Sequence, residues 1–131
     1  MKKLILTIGL PYSGKSTWAK EQAVPVVNPD SVRLALHGQQ FVNEAEPYVW
    51  AICHTMVAAL FMAGHNRIIL DSCNNTDKRR REWYNSPDWD THMKVFDTSA
   101  SECIARANAK GDTDIIPVIR RMEAQQDWRQ D

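Results

Sequence analysis

The stretch Gly9-Leu10-Pro11-Tyr12-Ser13-Gly14-Lys15-Ser16-Thr17 restricts this chain more than any other. It fits the pattern G-x-x-x-x-G-K-[ST]. An apolar run, Leu4 to Ile8, precedes it, and good helix formers, Trp18 to Ala23, follow. Strand, glycine-bounded loop and helix start together make a cradle in which backbone N–H groups converge on an anion. All nine residues are therefore assigned to a polyphosphate site. Lys15 supplies a cation to the β- and γ-phosphates, and the Ser16 hydroxyl is a ligand for Mg²⁺. The plainer alternative is a strand–turn–helix joint that contains Gly-Lys-Ser by chance; correct flanks on both sides favour the phosphate reading. Tyr12 stands where such loops often carry Gly, so an awkward backbone angle is expected there.

A chain of 131 residues with 44% hydrophobic and 24% charged residues suits one domain around one core. Formal net charge is zero. Any grip on a polyanion must then come from a local patch. Cys53, Cys73 and Cys103 are odd in number and show no metal-ligand spacing, so they read as core thiols of a reducing cytosol. No structural metal is expected. The apolar run after Met1-Lys2-Lys3 is too short for a leader or a membrane span, and no membrane role is expected.

The periodicity predicts alternating strands and helices. The first strand covers residues 2–8, and the helix after the loop runs to about Gln22. Val24 to Val27 is a second strand. Asn28-Pro29-Asp30 opens a helix that stops near Gly38, with Asn28 as N-cap and Pro29 at the first position, where no N–H is missed. Gln39 to Asn43 is a loop. A long helix follows from about Glu44 to Ala63, with Val49, Trp50, Cys53, Met56, Val57, Leu60 and Phe61 as its core face. Ile68 to Leu70 is a strand ending at Asp71. Lys78 to Asn85 is a basic helix broken by Asn85-Ser86-Pro87, and His92 to Phe96 a fourth strand. Ser99 and Glu102 form a capping box for a helix to about Asn108. A loop at residues 110–114 leads to a last helix from Ile116, with Val118, Ile119, Met122 and Trp128 inward. This alternation implies an α/β fold: a three-layer α/β/α sandwich with a mostly parallel central sheet of about four strands. Ligands then bind beyond the carboxyl ends of the strands, where the loop, Asp30 and Asp71 all fall.

Asp71 ends an apolar strand and is assigned to Ser16 or to a Mg²⁺-bound water; the alternative is a loop-capping carboxylate. Asp30 and Arg33, three apart, share a helix face. Asp30 suits a general base for an acceptor hydroxyl, and Arg33 suits a fork onto an acceptor phosphate. A helix-stabilising acid with its ion-pair partner explains the two equally well. Arg106 and Lys110 sit at the rim of the Gly111 loop, where cations can close over a nucleotide or merely complement the helix dipole. Arg120 and Arg121 read as surface charges. Lys78-Arg79-Arg80-Arg81 reads as a solvated face rather than a nucleic-acid patch. The histidines receive no role, and Trp18, Trp50, Trp83, Trp89 and Trp128 read as packing.

Several of these segments resemble the kinase domain of phage-type polynucleotide 5′-hydroxyl kinases, within the small P-loop kinase superfamily whose members are often classed as AAA-type ATPases. The segments are Leu4 to Ala19, Val27 to Arg33, Ile68 to Asn74 with Arg79, Arg80 and Trp83, Lys94 to Thr98, Arg106 to Gly111, and Pro117 to Met122. The resemblance extends over nearly the whole chain, and these segments are its strongest pieces. The resemblance implies a P-loop kinase domain over 1–131 with a lid near 106–115, located in a bacterial or phage-infected host cytoplasm. It also implies an ATP- and Mg²⁺-dependent enzyme that moves the γ-phosphate of ATP to a hydroxyl, the 5′-OH of a nucleic acid end. Lys15 and Ser16 match the family's phosphate and metal residues, Asp30 its general base, Arg33 its acceptor-phosphate arginine, and Arg106 a basic lid position. The chain departs from the family in four places. Lys110 replaces an arginine before the lid glycine, which keeps charge and loses the fork. Tyr12 replaces Gly. The family acid falls on Asp71 or Ser72. The segment between Asp30 and Asp71 is shorter, lacks the expected lysines and carries Glu44 and Glu46. A nucleoside or sugar kinase therefore stays open as an alternative, as does an ATP-binding module or slow NTPase without an acceptor.

Overall fold

A computed structural model describes residues 1–38, 41–84 and 86–127. The expectations for Gln39, Gln40, Asn85 and Trp128 lie outside the described residues.

Four strands form one all-parallel sheet in the order β2-β3-β1-β4. They are β1 (Lys3–Ile8), β2 (Val26–Val27), β3 (Arg67–Leu70) and β4 (Asp90–Val95). The helices are α1 (Lys15–Glu21), α2 (Pro29–His37), α3 (Glu46–Met62), α4 (Asp77–Tyr84), α5 (Ala100–Ala109) and α6 (Ile116–Gln125). Strand β1 pairs Leu6 with Leu70 of β3 on one side and with Met93 of β4 on the other. The second strand shrinks to two residues, pairing Val27 with Leu70. Short loops into parallel strands leave every carboxyl end at one edge, and β1, next to both β3 and β4, opens its loop at the middle of that edge.

The core has two parts. One gathers Leu4, Leu6, Val27, Ile68 and Leu70 of the sheet with Val32 of α2, five residues of α3 and Trp83 of α4. The other joins Leu10 to Ala100, Cys103 and Ala107 of α5 and Ile119 of α6. Helices therefore pack through separate apolar clusters. On α3 the buried stripe is Val49, Trp50, Cys53, Val57 and Phe61. Met56, expected inside, is 38% exposed. Two helix faces overlap in sequence there, and the four-residue spacing from Val49 through Cys53 and Val57 to Phe61 is the one that meets the sheet. The stretch Asn43–Met62 is long and apolar enough to cross a membrane by length and composition, but its buried stripe is packed into this core. The expected start at Glu44 is a 3-10 turn, Asn43–Ala45, before Pro47 enters the first α-helical turn, where its missing N–H costs nothing.

The cap expected at Asn28 is found, and the capping box expected at Ser99 is half formed. The Asn28 side chain accepts from the N–H groups of Asp30 (2.8 Å) and Ser31 (3.4 Å), and Gly38 closes α2 at φ 65°. Ser99 Oγ accepts from Glu102 N–H at 3.2 Å. The Glu102 carboxylate does not return to the cap; it accepts from Arg106 at 3.3 Å.

The basic run of α4 corrects the solvated-face expectation. Arg80 is 6% exposed. It donates to the Asn74 carbonyl at 2.9 Å and pairs with Asp127 at 2.5 Å, tying the loop after β3 to the chain beyond α6. Arg80→Ala removes the donor from a buried carbonyl, and we expect a loss of about 2 kcal/mol. Thermal unfolding should show a melting temperature lower by roughly 8 °C; an unchanged melt would place Arg80 among ordinary surface charges.

Candidate active site

The cradle is built by backbone shape. Gly14 sits at φ 101°, a left-handed angle that glycine adopts freely, and gives α1 no side-chain cap. The first N–H groups of α1 therefore face the loop's concavity. Gly9 is fixed by crowding: a Cβ there would lie 2.7 Å from Ser13 Oγ and 3.0 Å from Phe96. Tyr12 adopts φ 68°, the strained angle anticipated from its position. Its phenol donates to Asp112 Oδ2 at 2.9 Å, and its carbonyl accepts from Arg106 Nη1 at 3.0 Å. The bond to Asp112 holds the phenol's pKa above the ordinary tyrosine value. Tyr12 thus ties the loop after β1 to the chain after α5.

Lys15 is buried within the loop. Its ammonium donates to the carbonyls of Gly9 (2.9 Å) and Leu10 (2.6 Å) and to Ser13 Oγ (3.3 Å). Next to it, Ser16 Oγ donates to Asp71 Oδ2 at 2.7 Å, bringing the end of β3 onto the start of α1. The register at that end is held by Thr7, whose hydroxyl donates to the Ser72 carbonyl at 2.8 Å and accepts from Ser72 N–H at 3.1 Å. With Ser72 committed to β1, Asp71 is the residue left to face Ser16. Asn28 adds Nδ2 to the same Asp71 oxygen at 3.4 Å while capping α2, so one side chain links the β3 acid to the helix that carries Asp30.

On α2, Arg33 Nη1 donates to Asp30 Oδ1 at 2.7 Å. Arg33 also forks onto Glu46 of α3, Nε at 2.9 Å and Nη2 at 2.6 Å. Burial works against the Arg33 charge, and the bonds to Glu46 and Asp30 more than offset it, so its pKa lies above the ordinary arginine value. Asp30 is the open member, with its side chain 72% exposed. Its Oδ2 has no partner among the described residues.

One cavity of ≈ 990 Å³ collects these groups: Lys15, Ser16, Asp30, Arg33, Asp71, Arg106 and Lys110 all line it, with Pro11, Tyr12, Gly14 and Thr17. Gly9, Leu10 and Ser13 do not. Leu10 is 1% exposed and belongs to the core under α5 and α6, so within the expected nine-residue cradle it contributes its carbonyl to Lys15 and its side chain to packing. Sequence reasoning missed Glu46, Asn28, Asp112 and Arg79 as cavity residues. Glu46 was legible as an acid standing where lysines were expected, and not as the partner of Arg33. Asp112 meets Tyr12 across a hundred residues, and no local pattern announces such a pair.

The AAA domain family model (AAA_33) matches residues 4–130. Among solved structures, a chain of a Pnkp1/Rnl/Hen1 complex is 28% identical over 80% of this chain, with a TM-score of 0.72. This chain spans 38% of that one. A gluconokinase from Sinorhizobium meliloti 1021 matches at 14% identity and TM-score 0.66, covering 95% of this chain and 75% of its own. The Mycobacterium tuberculosis APS kinase CysC, in complex with AMPPNP and APS, matches at 19% identity and TM-score 0.62, covering 89% and 74%. The last two share the fold at identities too low to carry more. The family match leaves out only the first three residues and the last, and by it the chain belongs to the AAA domain family, with the fold of the small P-loop kinases.

Proposed function

We propose that this chain is an ATP-dependent phosphotransferase that moves the γ-phosphate to the 5′-hydroxyl of a nucleic acid end. The observation that carries the reading is Asp30. It is exposed on the wall of the cavity that holds the phosphate loop, with one oxygen fixed by Arg33 at 2.7 Å and the other unpartnered among the described residues. A nucleotide-binding module needs no base at that place, although the same acid and ion pair also stabilise the start of α2. In this reading residues 1–131 act as one kinase domain, and the segment near 106–115 is its lid.

In this reading each group of the cavity has a role. Backbone N–H groups of the loop and of α1 bind the β- and γ-phosphates, and Lys15 neutralises their charge. Ser16 Oγ and Asp71 Oδ2, 2.7 Å apart, are hard oxygen donors that would hold Mg²⁺. When bound, the metal supplies charge neutralisation on the transferring phosphoryl group. Asp30 Oδ2 accepts the proton of the acceptor hydroxyl as its oxygen bonds to Pγ, while the Pγ–O bond to ADP breaks. Arg106, anchored on the Tyr12 carbonyl, and Lys110 border the donor side from the lid.

A second reading, a small neutral acceptor such as a nucleoside or sugar, is favoured by Glu46, which neutralises Arg33. One assay separates the readings. The chain is incubated with γ-labelled ATP, Mg²⁺ and a 5′-OH oligonucleotide, a nucleoside or a sugar. Label in the oligonucleotide supports the proposal. Label confined to the small acceptors replaces it, and hydrolysis without transfer to any acceptor rejects both.

A further inference from the structure

The run Lys78-Arg79-Arg80-Arg81 scatters its charges. Arg80 is buried against Asn74 and Asp127, and Arg81 pairs with Asp77 at 2.6 Å on the exposed side of α4. Arg79 turns to the cavity wall, where its guanidinium carbon lies 4.0 Å from the ring centroid of Trp50. Arg33 lies 5.9 Å from the same ring. One buried indole therefore carries two guanidinium groups on the Asp30 side of the cavity. They differ in commitment. Arg33 holds two carboxylates at 2.6 to 2.9 Å. Arg79 meets one, Glu82, through Nη1 at 3.3 Å. Its Nε and Nη2 have no partner among the described residues.

We propose that Arg79, held over the Trp50 ring, is an acceptor-binding residue that takes the second phosphate of a single-stranded nucleic acid, beyond the phosphate facing Arg33. This rests on the 5′-hydroxyl reading above and extends it. An arginine stacked on an aromatic face is already oriented, so little side-chain freedom is lost when it binds. Its planar fork matches phosphate. A strand carries one phosphate per nucleotide, so a second cation along the wall responds to strand length and not to base identity. A neutral sugar would leave the Nε and Nη2 of Arg79 without a phosphate to meet. The chain as a whole has no net charge to attract a polyanion, and Arg33 is already paired with Asp30 and Glu46, so the less committed Arg79 has to do so.

The test compares wild type with Arg79→Gln and Trp50→Phe on a nucleoside 3′-monophosphate and a 5′-OH dinucleotide carrying a 3′-phosphate. Wild type should prefer the dinucleotide in kcat/KM, and Arg79→Gln should cut that preference about tenfold, as expected for one charge-assisted contact. Trp50→Phe should cut it by less. Equal losses on both acceptors would reduce Arg79 to a packing residue and overturn the proposal, as would an unchanged preference. Binding of a fluorescent 5′-phosphorylated hexanucleotide, read by anisotropy across salt concentrations, needs no catalysis. Arg79→Gln should weaken it and lower the salt slope by about 0.7, the value for one phosphate contact on a single strand. Equal binding by wild type and variant overturns the proposal whatever the kinetics show. Arg79-dependent binding with no transfer keeps the strand-binding surface and rejects the kinase reading.

Discussion

Lys15→Ala is expected to lower kcat/KM for ATP by about 10³-fold, close to 4 kcal/mol of transition-state stabilisation, the scale seen when one preorganised charge donor leaves a water-poor site. The lysine is buried in the concavity of the loop, in contact with the carbonyls of Gly9 and Leu10. Its charge is therefore held inside the loop proposed to bind the β- and γ-phosphates, and two other cations of the cavity are engaged elsewhere. Arg106 is held by Tyr12 and Glu102, and Arg33 by Glu46 and Asp30. The substitution also strips a donor from two backbone carbonyls, at a stability cost of about 1–3 kcal/mol. Steady-state kinetics and nucleotide binding should be measured beside a thermal melt. A folded variant that binds ATP with wild-type affinity would sink the assignment of the loop.

Asp30→Asn has the second large effect. A positioned general base contributes about 10²- to 10⁴-fold, so kcat should fall within that range while the KM for ATP stays close to wild type. The fold should tolerate the change. The cap of α2 is made by Asn28 on the backbone N–H groups of residues 30 and 31, which asparagine at 30 retains. The ion pair lost is exposed on the Asp30 side, where such pairs contribute about 0–1 kcal/mol. Arg33 keeps its fork to Glu46. A kcat unchanged in Asp30→Asn would show that the proton leaves by another route and would remove Asp30 from the chemistry.

The loop and the strand order of events were legible because both depend on local signals. Gly14 and Lys15 have fixed places in an eight-residue pattern, and the apolar runs before Gly9 and Asp71 are short. Asn28 with Pro29, and Ser99 with Glu102, announce helix starts within four residues. The misreadings share a cause. Met56 was assigned to the core face and Arg79 and Arg80 to a solvated one because periodicity tells which residues share a face and not what that face meets. A helix as polar as α4 gives no warning that its second arginine spans to Asp127 or that its first lies on an indole from α3.

Sequence by itself determined the phosphate loop, the parallel α/β arrangement and the edge at which Asp30 and Asp71 emerge, since parallel strands with short exits leave their loops nowhere else. Tertiary structure alone decided how the charges at that edge are shared. It joined Arg33 to Glu46, Tyr12 to Asp112 and Arg79 to Trp50, partners 13 to 100 residues apart, and of the two places expected for Asp71 it shows the contact with Ser16. Such pairings depend on how helices pack over the sheet. That packing is set by apolar contacts spread over the whole chain, so no single stretch of sequence encodes it.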